Sequence, residues 1–172
     1  PDNSITFRQY CIALAVTSVT FMKLLDTTIL NTALPAISIS FNTDIISLRV
    51  AITAYLITLA IFIPISGWVS DRIGSRRTLL VATTLFTGSS ILCGLATSLV
   101  PFVLFRILQG VGGAMMTPVS RIILVQLFRD RGEHNFQKVI SMVSIPLVFG
   151  PIMGPVLGGW LTTHLSCHWI FF

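Results

Sequence analysis

Five long apolar blocks, parted by short polar stretches, occupy almost the whole of this chain. They predict membrane spans over residues 7–35, 47–69, 78–96, 101–127 and 139–165. Each block holds about 19–29 residues, or about 28–43 Å of α-helix at 1.5 Å per residue. That suffices for a hydrocarbon core about 30 Å thick. Inside lipid a backbone must satisfy its own N–H and C=O groups, so the blocks read as helices. The predicted fold class is an all-α polytopic membrane protein.

Composition agrees. Of 172 residues, 53% are hydrophobic and 10% are charged, whereas a soluble domain carries about 25% charged residues. The net charge of +5 comes from 11 Lys and Arg against 6 Asp and Glu. These basic residues gather in short connections. Arg72, Arg76 and Arg77 follow the second block; Arg129, Arg131 and Lys138 follow the fourth, with Arg121 nearby. The opposite connections hold only Arg49 near the first, and no positive residue between Ala96 and Pro101. Such asymmetry argues against nucleic acid and places the N-terminus, with Arg8, on the cytoplasmic side. An odd number of spans leaves Phe172 near the outer face. Cys11, Cys93 and Cys167 are widely separated and suggest neither a disulfide nor a metal site. There is no convincing signal peptide. Both ends look cut, and the chain reads as a fragment of a longer protein.

Two charges interrupt the apolar pattern: Asp26 in the first block and Arg106 in the fourth. A charged side chain within a span costs about 2.5–3.5 kcal/mol on insertion scales and marks a polar pathway. Lys23, Asp26 and Thr27 share one helical face by spacing, and so do Arg106, Gln109 and Gly110. Asp26 falls about 14 Å below the outer end of its predicted span and Arg106 about 8 Å below that of its own. A pairing of the two, direct or through water, would lower the burial cost of both. A carboxylate in a low-dielectric cavity can take up a proton, and a nearby cation opposes this. Movement of the arginine would then load or unload the acid. The plain alternative is a staple between two helices. Lys23 can snorkel along its helix toward water.

Gly150, Gly154 and Gly158 recur every fourth residue, with Pro151 and Pro155 between them and Gly159 after. They form a strip where another helix can approach closely, and the prolines predict a bend. Gly110, Gly113 and Ala114 form a similar stripe in the fourth span. Between spans two and three, residues 67–77 predict a tight charged turn allowed by its glycines. In it, Asp71 would sit against a helix N-terminus, and Arg76 or Arg77 would reach Asp130 or Glu133, as a gate contact does.

Together these residues resemble the major facilitator superfamily. The turn is similar to the loop signature G-x-L-A-D-R-x-G-R-K at Gly67, Asp71, Arg72, Gly74 and Arg76, departing at Val69, Ser70 and Ser75. Residues 106–114 resemble the span-four signature R-x-x-Q-G-x-G-x-A. Residues 150–159, with Gly150, Pro151, Gly154, Pro155, Gly158 and Gly159, resemble the antiporter signature of span five. Residues 25–35 resemble L-D-x-T-I-x-N-x-A-L-P, which points to the fourteen-span drug/proton antiporter branch of EmrB/QacA type. The closing run resembles W-R-W-I-F-F-I-N, with Cys167 and His168 in place of Trp-Arg.

The resemblance implies two helical bundles that rock about a central cavity, of which this chain holds most of the N-terminal one, without its sixth helix and without the C-terminal bundle. It implies proton-coupled efflux of lipophilic, often cationic, small molecules across the bacterial inner membrane. Asp26, Arg106 and Gln109 would form the proton-linked centre. The turn residues would make the cytoplasmic gate, and the span-five strip would shape the antiport pathway. Protons are the coupling ion, and no other cofactor is expected. The chain has no GxxxxGK[ST], HExxH, paired catalytic carboxylates or Ser/His/Asp set, so an enzyme is not expected. A metabolite exporter on the same fold is the nearest alternative, and a non-transporting membrane scaffold a more distant one.

Overall fold

The computed structural model describes residues 7–128 and 133–164, with side chains in the last segment described mainly over residues 148–160. It contains α1 (Phe7–Ser40), α2 (Ile45–Ile73), α3 (Ser75–Leu95), α4 (Leu99–Phe128) and α5 (Glu133–His164). Among the described residues there is no strand. Four helices, α1 to α4, are long and apolar enough to cross a membrane. In α5 the described side chains form a shorter apolar run, Val148–Trp160, within a 32-residue helix.

Nearly every helix outruns its predicted span. The largest difference is at Pro35, taken as the end of the first span, through which α1 continues to Ser40. Proline removes one backbone hydrogen bond, yet Ala33 and Ile37 on either side are packed in the core, and that packing holds the helix together. Pro64 and Pro118 are likewise inside α2 and α4. Extension of α2 to Ile73 shrinks the expected turn over residues 67–77 to the single residue Gly74.

α4 is the central helix. It packs chiefly against α3 and α2, and to a lesser extent against α1, while α5 lies mainly along α1. One core cluster joins Leu30, Ala33, Ile37, Leu48, Ala51 and Phe102 at one end of the bundle. There Phe41 meets Phe102 edge-on, at 5.6 Å between ring centroids. A second cluster joins Ala13 and Val16 to Leu124 and Phe128 at the other end. Large apolar side chains also cover the exterior, among them Ile61, Leu80, Val81, Leu104 and Val156. A soluble monomer rarely exposes such continuous apolar area; hydrocarbon suits it.

The stripe expected on α4 divides between two neighbours. A Cβ added at Gly110 would stand 2.9 Å from Thr58 Cβ on α2. At Gly113 it would stand 3.3 Å from the Tyr55 hydroxyl oxygen and 3.4 Å from the Phe86 ring. Gly112, which the stripe did not include, makes the closest approach to backbone: its Cβ would stand 2.8 Å from the Ala82 carbonyl oxygen and 2.9 Å from Phe86 N. Backbone cannot rotate away as a side chain can. Gly112→Ala is therefore expected to destabilise the full-length protein by about 1–3 kcal/mol, as overpacking does. Gly88→Ala on α3, where a Cβ meets nothing within 4 Å, serves as the neutral control. Thermal melting in detergent checks this, and equal melting of the two variants would remove the argument.

Candidate functional site

Asp26 and Arg106 meet directly. Arg106 Nη1 donates to Asp26 Oδ2 at 2.8 Å, and Gln109 Nε2 donates to Asp26 Oδ1 at 3.0 Å. The three-residue spacing of Arg106 and Gln109 brings both donors to one carboxylate. Arg106 and Gln109 are fully buried, and the Asp26 side chain is 9% exposed. Desolvating an ion pair is costly, and attraction offsets that cost only when geometry is good and the remaining valences are filled. Here both carboxylate oxygens accept a hydrogen bond. With α1 running on to Ser40, Asp26 lies about 21 Å along the helix from that end, close to mid-helix rather than in the outer half.

Three residues not singled out from the sequence complete the cluster. The Arg106 guanidinium lies 5.6 Å from the Phe102 ring centroid and 5.9 Å from that of Tyr55, within the range of cation–π attraction. Cys93 Sγ is 4.0 Å from Gln109 Oε1. Phe102 precedes Arg106 by four residues, a spacing that could have revealed it. Tyr55 and Cys93 arrive from α2 and α3 and left no local signal. Gly110 and Gly113 make room for Tyr55, since side chains there would press on its carbonyl and hydroxyl oxygens.

Lys23 turns away from this pair. Its Nζ donates to Thr117 Oγ1 at 2.9 Å, far along α4 from Arg106, as a snorkelling side chain does. Thr27, expected on the same polar face, bonds back to the Lys23 carbonyl oxygen at 3.1 Å.

The gate residues differ from expectation in detail. Gly67 is within α2, with open space beside it, and does not form a turn. Gly74 does. Its φ of +92° suits only glycine, and its N–H reaches the Ser70 carbonyl oxygen at 2.9 Å. Asp71 lies exposed in the last turn of α2. Among the described residues it forms no hydrogen bond to the first turn of α3, so the expected contact with a helix N-terminus is not made. Arg72 stacks on Trp68 at 4.5 Å. Ser70 and Ser75, two of the positions that depart from the loop signature, bond to one another at 2.9 Å across Gly74. Arg76, exposed near the start of α3, borders a cavity of about 560 Å³ together with Arg8, Leu79, Ile123 and Leu127. Asp130 and the Glu133 side chain, the partners expected for Arg76 or Arg77, lie outside the described residues, as do Cys167 and His168.

The strip on α5 meets α1. Added side chains would strike Leu24 at Gly150 and Thr28 at Gly154, and at Gly158 would come within 3.3 Å of Thr32 Cβ. The facing residues 24, 28 and 32 share the four-residue period, and both series ascend together, so the helices run parallel. Thr28 and Thr32 spend their hydroxyls on carbonyls of their own helix, at 3.0 and 3.2 Å. Pro151 and Pro155 are exposed, and Gly159 has open space beside it; none of the three belongs to the contact. Cys11 and Cys93 are free thiols. Among the described residues no group of three His, Cys, Asp or Glu could hold a metal.

A family model described as Major Facilitator Superfamily matches residues 16–172. Bacterial relatives named MdtD, provisionally designated multidrug resistance proteins, are similar to the chain. The one from Serratia proteamaculans is 40% identical over 88% of this chain and 31% of its own length. That from Klebsiella pneumoniae is 42% identical over 88% and 31%, and that from Salmonella paratyphi B 39% identical over 99% and 35%. The chain thus spans about a third of the length of these relatives. Among solved structures, an inward-facing bacterial homologue of the human lysosomal transporter Spinster matches 98% of this chain and 40% of its own, with a TM-score of 0.78 at 18% identity. The inward-open xylose transporter XylE from E. coli matches 95% and 44%, with a TM-score of 0.77 at 21% identity. These two likenesses concern the fold. On the match of the family model over most of its length, this chain belongs to the Major Facilitator Superfamily of integral membrane transporters.

Proposed function

We propose that the full-length protein exports lipophilic small molecules in exchange for protons by alternating access, and that these five helices form most of its first bundle. The carrying observation is the Asp26 carboxylate held mid-helix by both Arg106 and Gln109. Proton binding to Asp26 and ion pairing with Arg106 compete for the same oxygen atoms. A motion that parts α1 from α4 therefore exchanges one partner for the other. The relatives' multidrug resistance names, at about 40% identity, favour drugs as the cargo.

The Gly74 turn, with Gly67, Asp71, Arg72 and Arg76 around it, serves as the cytoplasmic gate in this reading. The N-terminus faces the cytoplasm across the bacterial inner membrane. Gly150, Gly154 and Gly158 hold α5 close on α1 and so shape the antiport pathway, with Pro151, Pro155 and Gly159 on its other faces.

Reconstitution of the full-length protein in liposomes tests the reading. An imposed proton gradient should drive uphill movement of at least one member of a panel of cationic, neutral and anionic lipophilic dyes and drugs, with protons moving the opposite way. Drug movement indifferent to the gradient, or robust export of a sugar or amino acid with no drug movement, would overturn it.

A further inference from the structure

Lys23 is the charged group within the bundle that the ion pair leaves unused. It is half-buried, three residues before Asp26 on the same face of α1, and its ammonium bonds to the uncharged Thr117 hydroxyl at 2.9 Å. Among the described residues the one ion pair is Arg106 with Asp26. Asp26 has both oxygens occupied, by Arg106 and by Gln109. The seam between α1 and α4 therefore carries two cations and one anion and has a net positive charge. That charge is not screened as it would be in water.

We propose that Lys23 is a charge filter: the α1–α4 seam takes neutral lipophiles bearing hydrogen-bond acceptors and disfavours cations. This rests on the efflux reading above, and narrows its substrate class. An incoming cation drawn to Asp26 finds the carboxylate already neutralised and a second positive charge one helical turn away. A neutral guest meets no such opposition. An ammonium has three N–H donors, and Thr117 takes one. The others can donate to a carbonyl, nitro or sulfonyl oxygen on the guest.

The test is equilibrium binding to the purified full-length protein in detergent, with no gradient imposed. The probes are ethidium, a monocation, and chloramphenicol, a neutral molecule with amide and nitro acceptors. The wild type should bind chloramphenicol more tightly than ethidium. Lys23→Gln should tighten ethidium binding about tenfold, the scale of removing one like charge at short range in a protein, and weaken chloramphenicol binding. Lys23→Arg should keep the wild-type preference, because it keeps the charge. Lys23→Met gives the same readout as Lys23→Gln should the amide variant aggregate.

A wild type that prefers ethidium or fails to bind chloramphenicol overturns the proposal. So does a neutral variant whose ethidium affinity stays within about twofold of the wild type, or an arginine variant that shifts as far as the glutamine one. Binding needs no proton coupling. Failure of gradient-driven export with the shift intact would sink the antiport reading and leave the filter standing.

Discussion

Replacing Arg106 with alanine in the full-length protein is expected to abolish transport and to destabilise the fold. The guanidinium is fully buried, bonds Asp26 at 2.8 Å and lies between the Phe102 and Tyr55 rings. Its removal leaves a carboxylate in a low-dielectric setting with only the Gln109 amide as hydrogen-bond partner. Breaking one side of a buried ion pair costs about 3–5 kcal/mol, and an emptied aromatic slot adds to it. The double variant Asp26→Asn with Arg106→Gln removes both charges together. It should recover part of the lost stability, because neither charge is then orphaned, yet remain inactive. Thermal melting and gradient-driven efflux of the same preparations read the two effects. Active transport by the double variant would leave the pair as a mere staple between α1 and α4.

Asp26→Asn alone is expected to reduce proton-driven efflux to the level of empty liposomes while substrate binding persists. Asparagine matches aspartate closely in shape, and its carbonyl oxygen can still accept from Arg106. It cannot exchange a proton. The loss should therefore fall on coupling rather than on the pocket. Equilibrium binding of the transported compound should remain within about threefold of the wild type, under 1 kcal/mol. Gradient-driven efflux by this variant would show that the coupling acid lies elsewhere.

Some of the site was legible because its signal was local. Asp26, Arg106 and Gln109 stand out as polar letters in apolar blocks, and the three-residue spacing of the latter two places them on one face without any coordinates. The period of Gly150, Gly154 and Gly158 likewise announces a close contact. It could not say with which helix, because the facing residues Leu24, Thr28 and Thr32 lie more than a hundred positions away and carry no small-residue mark of their own. Gly67 and Gly74 look alike as letters in a turn signature. Only the backbone separates them, Gly67 inside α2 and Gly74 at φ +92°.

From the letters alone came the helical class, the five blocks and the identity of the mid-span charges, since burial in lipid depends on composition over about twenty residues at a time. Packing decided the rest. It carried α1 through Pro35, brought Tyr55 and Phe102 to the guanidinium, and set Gly112 rather than its neighbours against the backbone of α3. Those outcomes depend on how whole helices fit together, a relation between distant positions that no local window contains.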